Sequence, residues 1–275
     1  MLRLTLPSIP HVTAELAAGS VRLPFAEIVG REPGPTVTIT AGMDGDEYAG
    51  IVACHLLYKR YTPSKVKGTI RFLPLVNVAG FRAGTSKSPI DGKYPKFIFP
   101  GRANGTHTDE LMHWLYETYI KDASLWIDLH GGSTQEKLTP FIWLYQSKNT
   151  AVRGFQRELL ETTSAAVVVH DRHPFMRYSS FLDSRRIAHV LMECGDLGTH
   201  RKKDIITLIH WTDETLSAFG AIKHNSKRRQ KPVIYTAVKY VYTPNGDDMK
   251  RTQLLWRCID PQIKKGDVVA AYGLP

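Results

Sequence analysis

Up to residue 222, short apolar runs of strand character alternate with longer stretches of helical periodicity, and this alternation constrains the fold more than any other feature. Residues 36–40 (TVTIT), after Pro33-Gly34-Pro35, read as a buried strand. Residues 47–61 follow as a helix with Tyr48, Ile51, Val52 and Leu56 on one face. Residues 68–77 form a further strand, weakened towards its end by Pro74. A Gly-, Pro- and Lys-rich loop spans about 78–106, a length that in compact domains is functional or disordered. Thr108 or Asp109 then caps a helix carrying Leu111, Met112, Leu115 and Tyr119. Strands at 124–130, 141–145, 165–169 and 187–192 and helices at 150–162 and 202–218 complete an α/β pattern.

The texture changes after residue 222. The run Lys223 to Lys231 is basic, and residues 233–238, 239–243 and 253–259 are β-rich, with turn signals at Asn245-Gly246 and Gly266-Asp267. This predicts a domain over 1–222, a basic linker over 223–232 and a small β domain over 233–275.

Composition excludes several classes. With 43% hydrophobic and 23% charged residues the chain is globular rather than disordered, and it contains no internal repeat. No run nears the roughly 20 apolar residues that span a bilayer. Pro7 and Pro10 interrupt the N-terminus before a signal-peptide core forms. Three cysteines (Cys54, Cys194, Cys258) without CxxC spacing imply a reducing cytoplasm rather than a disulfide framework. The net charge of +10 has no nucleic-acid motif to accompany it, so it reads as a solvated linker or as attraction for an anionic small molecule.

Three polar motifs follow apolar strands, the position at which open α/β sheets bind ligands. In Gly42-Met43-Asp44-Gly45-Asp46-Glu47, Asp44 and Glu47 are placed to converge on one cation. The competing use is helix capping by Asp44 or Asp46, with Glu47 complementing the helix dipole. In Asp128-Leu129-His130-Gly131-Gly132, strand alternation puts Asp128 and His130 on one face, His130 as a candidate metal ligand and Asp128 as its orienting partner. A structural histidine is the alternative. Glu193 ends the apolar run Val190-Leu191-Met192, where desolvation raises its pKa towards general-base range, unless it pairs with an arginine. The adjacent Cys194 then faces the core. His170-Asp171-Arg172-His173 has metal-like spacing but enters a Pro174 turn.

The order and spacing of these motifs resemble the succinylglutamate desuccinylase/aspartoacylase family of the zinc carboxypeptidase clan, over about residues 21–273. Gly42 to Gly50 is similar to that family's G-x-H-G-[ND]-E-x-x-G, Asn77 to its V-N-P step, Asp128-Leu129-His130 to its second metal motif and Glu193-Cys194-Gly195 to its E-x-G. Gly84-Thr85, Asp91-Gly92, Phe99-Pro100-Gly101 and residues 263–268 also match. The resemblance implies a mixed sheet flanked by helices with a small C-terminal β domain. It also implies one divalent metal on Asp44, Glu47 and His130, Glu193 as catalytic base, and hydrolysis of a small N-acylated amino acid.

Three departures fall at the chemistry. Asp44 stands where the family has its first metal histidine, Ser86 (beside Lys87) where it has a carbonyl-polarising arginine, and Lys96-Phe97 where it has a carboxylate-binding Asn-Arg pair. Aspartate ligates Zn²⁺, the expected metal, while one histidine with two carboxylates makes Mn²⁺, Co²⁺ or Fe²⁺ more competitive. Arg82, Lys87, Lys96 and Arg102 each offer the missing positive charge, and Arg172, Arg177 and Tyr178 are loop candidates for substrate contact. Loss of the guanidinium fork points away from N-acetylaspartate and succinylglutamate as substrates. The leading expectation is a cytoplasmic metal-dependent amidohydrolase with an anionic small-molecule substrate, no nucleic-acid or membrane partner, and a homo-oligomer left open. A carboxypeptidase on short peptides and a catalytically degenerate binding protein are the alternatives.

Overall fold

The computed structural model describes residues 8–17, 19–171, 178–223 and 231–235. An antiparallel hairpin, β1 (His11–Leu16) and β2 (Gly19–Pro24), leads into β3 (Ala26–Val29) and the long β4 (Glu32–Ala41). Then come α1 (Tyr48–Arg60), β5 (Lys67–Leu73), the short α2 (Val78–Ala83) and α3 (Pro95–Ile98), and α4 (His107–Leu115), which runs on into a π-helical turn at Tyr116–Ile120. The remaining elements are β6 (Leu125–His130), β7 (Phe141–Tyr145), α5 (Thr150–Thr162), β8 (Val167–Asp171), α6 (Tyr178–Ser184), β9 (Ala188–Glu193), α7 (Lys202–Ala218) and β10 (Val233–Tyr235).

Among the described residues the main sheet has eight strands in the order β10-β8-β7-β9-β6-β4-β5-β3. It is mixed: β7 runs antiparallel to β9, and β3 antiparallel to β5. Its middle is a run of four parallel strands, β9, β6, β4 and β5, of which the trio β9, β6 and β4 opens three adjacent carboxyl ends on one edge. The register aligns them, with Ala41 opposite Leu129 and His130 opposite Glu193.

Alternation along the trio sorts its side chains between two cores. Val37, Ile39, Ala41, Leu125, Ile127, Leu129, Ala188, Val190 and Met192 pack under α1, α5 and α7. The opposite face carries Thr38, Thr40, Trp126, Asp128, His130, His189, Leu191 and Glu193. Trp126 and Leu191 there join a second core made with α4, α6, the hairpin residues Ala14 and Leu23, and Trp143. Each buried large apolar side chain contributes roughly 1.5–3 kcal/mol.

Several local expectations change in detail. The strand expected over 68–77 ends at Leu73, because Pro74 cannot donate to the ladder. The chain stays attached through Val76 N–H to Ala41 O (3.1 Å) and Asn77 N–H to Gly42 O (2.8 Å). The expected loop over 78–106 contains α2 and α3. It is pinned by Asp91, which accepts from Thr106 Oγ1 (2.6 Å), Thr108 N (2.8 Å) and Thr108 Oγ1 (2.6 Å). Helix α4 is capped by Thr106, with Asp109 closing a reciprocal capping box, rather than by Thr108 or Asp109. Finally, β10 pairs in parallel with β8, so residues 233–235 extend the main sheet. Residues 236–275, and with them most of the expected small β domain, lie outside the described residues, as do 224–230 of the expected linker.

Candidate metal and active site

The segment after β4 turns sharply because Gly42 adopts φ +63°, which a residue with a Cβ rarely tolerates. Gly45 then passes so close to α2 that a Cβ there would lie 2.2 Å from Phe81 N. Asn77 clamps the turn, donating to Met43 O (3.4 Å) and Ser86 O (3.0 Å) while accepting from Gly80 N (2.8 Å). Asp44 and Glu47 are thereby buried, 1% and 3% exposed. Neither caps a helix: Glu47 holds the N-cap position of α1 without a side-chain cap bond. Asp46 is instead a brace, accepting from Ser86 Oγ (2.8 Å) and from Thr134 N and Oγ1 (3.2 Å each).

A buried polar chain runs across the sheet face from β4 to this turn. Trp126 Nε1 donates to Thr40 Oγ1 (2.7 Å), and Thr40 Oγ1 donates to Asp128 Oδ1 (2.6 Å). Asp128 Oδ2 meets His130 Nε2 at 3.0 Å, and His130 Nδ1 meets Glu47 Oε2 at 2.8 Å. Gly131 N–H also donates to Glu47 Oε2, at 3.1 Å. Asp128 and His130 thus share a face, and one ring nitrogen is fixed by a carboxylate while the other points at Glu47. Burial alone would lower the His130 pKa, but Asp128 and Glu47 outweigh it and hold the ring well above its usual range.

Lys96, on α3, is buried with 7% exposure, and its ammonium is ion-paired with Asp44 Oδ2. Burial opposes its charge, yet Asp44, Glu47 and Glu193 together raise its pKa. Burial pushes Asp44 up to about 7, against the pull of Lys96. Glu193 sits at the end of β9 directly opposite His130 and keeps part of its surface open. Its pKa is raised, first by burial and then by the neighbouring Glu47.

The other basic candidates lie elsewhere. Arg82 and Lys87 are exposed, and Arg102 is exposed with its guanidinium 3.6 Å from Asp109. Tyr178 is no loop residue but the first of α6, buried against Phe99, Trp126 and His189. Arg172 and Arg177 lie outside the described residues. Cys194 turns into the core, where burial pushes its thiol up to about 12, which leaves little thiolate. Thr40 is a part of the arrangement that the sequence does not single out, while Asp46 and Asn77 serve in it as braces rather than as the helix cap and motif step expected of them. Thr38 and Thr40 did leave a trace, as polar residues at period two in an otherwise apolar strand.

The donor set suits a divalent cation. One ligand atom each from Asp44, Glu47 and His130 lies within 4.8 Å of the others. Asp44 Oδ1 is buried without a hydrogen-bond partner, which is costly unless something positive meets it.

A mixed sheet with acids and a histidine at adjacent parallel strand ends defines a hydrolase-type α/β scaffold, and residues 33–218 match the succinylglutamate desuccinylase/aspartoacylase catalytic domain. The chain belongs to that family. It is 26% identical over 232 residues to the N-alpha-acetyl-L-2,4-diaminobutyric acid deacetylase of Halomonas elongata, covering 82% of this chain and 67% of that one. The product-bound ectoine utilization protein EutE (DoeB) of Ruegeria pomeroyi superimposes with a TM-score of 0.73 at 25% identity, over 86% of this chain and 75% of that one. A succinylglutamate desuccinylase/aspartoacylase from Rhodobacter sphaeroides gives a TM-score of 0.70 at 25% identity, over 86% and 74%. Among the described residues no helix is long and apolar enough to cross a membrane.

Proposed function

We propose that the protein is a metal-dependent deacylase that hydrolyses the amide bond of a small N-acylated amino acid. The observation that carries this reading is the convergence of Asp44, Glu47 and His130 within 4.8 Å, beside a Glu193 that the sheet register sets opposite His130. Asp44, Glu47 and His130 hold the cation, Zn²⁺ foremost. When bound, it supplies Lewis-acid polarisation of the amide carbonyl and makes water more acidic. Glu193 takes a proton from the attacking water and returns it to the leaving amine, a role suited to a carboxylate of raised pKa. Lys96 is the basic residue best placed to steady the developing oxyanion, since its remaining N–H donors lie in the same buried cluster. Asp128 keeps His130 oriented through Nε2.

The deacetylase relative from Halomonas elongata supports N-acetyl amino acids as the first substrate class to try. In protein purified without added metal, elemental analysis is expected to find near-stoichiometric Zn, Mn or Fe, lost in His130→Ala. Absence of metal even after reconstitution would overturn the reading and favour a non-catalytic binding protein.

A further inference from the structure

Two of the positions at which the chain departs from the family pattern, 44 and 96, are 52 residues apart in sequence and in contact in space. The exchange of a histidine for Asp44 adds a negative charge, and the exchange of an asparagine for Lys96 adds a positive one. The two departures cancel in a place where an unpaired charge would be costly. They also divide Asp44 between two tasks, since Oδ2 is taken by the ammonium while Oδ1 has no partner. We propose that Lys96 is a resident cation of the metal cluster: it holds Asp44 through Oδ2, leaves Oδ1 as the oxygen free to ligate, and by its charge keeps the affinity of the cluster for divalent ions low. This rests on the metal-dependent reading above and adds to it a residue that sets metal affinity.

Two effects of Lys96 oppose each other. Holding a ligand in place, as Asp128 holds His130, strengthens metal binding by about 10–100-fold. A divalent ion one carboxylate away from an ammonium meets a like-charge repulsion that buried surroundings screen poorly. Both act on the same carboxylate, and a low affinity follows when the repulsion outweighs the positioning; removing the charge while keeping a donor for Oδ2 then tightens binding.

The test is Zn²⁺ and Mn²⁺ binding to metal-stripped full-length protein, read by calorimetry or chelator competition. Lys96→Gln keeps an N–H donor without the charge and is expected to bind at least about tenfold more tightly than wild type, while Lys96→Arg stays within about threefold. Lys96→Met removes the charge and the donor alike, so it is expected to gain less than Lys96→Gln, because Asp44 Oδ2 then loses its anchor. Binding by wild type with no gain in either neutral variant overturns this inference and leaves the metal-dependent reading standing. No binding by any of them at millimolar metal overturns both.

Discussion

The two faces of the central strand trio share one backbone and differ in everything else. On one face Val37, Ile39, Leu125, Ile127, Leu129 and Val190 are wholly buried among other apolar groups. On the other, Thr40, Asp128, His130 and Glu193 form or adjoin a hydrogen-bonded chain that ends at Glu47. A shift of one residue exchanges the faces, so the same register that seals the core also aims the acids. Stability and proposed chemistry are thus separated by pleat rather than by distance, and this separation can be broken from either side.

The largest effect is expected from Glu193→Gln. Turnover of an N-acetyl amino acid should fall by about 10²–10⁴-fold with metal content and melting temperature kept, and an unchanged rate would remove Glu193 from the reaction. From the other face, Ile127→Ala is expected to cost about 2–5 kcal/mol in denaturant unfolding, while the folded protein keeps its metal affinity. A loss of metal affinity equal to that of a polar-face variant would show that the faces are not independent.

His189 tests the polar face through pH. It is 5% exposed, neither ring nitrogen has a hydrogen-bond partner, and burial lowers its pKa to about 4. Unfolded, it titrates near 6.5, so below that pH the unfolded chain binds a proton that the folded chain refuses. The folded state keeps its full stability above about pH 6.5 and loses about 3 kcal/mol as the pH falls towards 4. His189→Phe, which fits among the Trp126 and Tyr178 rings, should flatten that part of the unfolding profile. Least disruptive is Asp128→Asn, for which metal titration should show a 10–100-fold weaker site through the loosened His130 ring.

Much of this arrangement is written in local pattern. The strands β4, β6 and β9 announce themselves as apolar runs, and each motif residue stands at a run's end, so the α/β class and the separate candidacies of Asp44, Glu47 and His130 are legible before any coordinates, whereas their grouping on one cation is what the family resemblance implies. The hairpin β1–β2 is not, because HVTAEL and GSVRLP mix polar and apolar residues and depend on the second core for burial. Nor does sequence distinguish Lys96 from Arg82, Lys87 and Arg102. All four are cations in one long segment, and only the short helix α3 turns Lys96 inward to Asp44. The cap of α4 falls on Thr106 rather than Thr108 because Asp109 reaches back to the Thr106 N–H, a reciprocal contact that residue type alone does not reveal.

The parallel pairing of β4, β6 and β9 has a consequence for how the protein comes into being. Parallel neighbours need crossovers, so the groups that meet at this edge come from three stretches, at residues 44–47, 128–130 and 193, that are far from one another in an unfolded chain. A chain emerging from the ribosome holds Asp44 and Glu47 long before Glu193 is synthesised. The three proposed ligands come together only where β4 and β6 pair, so the cation site is a product of that pairing rather than of any local stretch of chain.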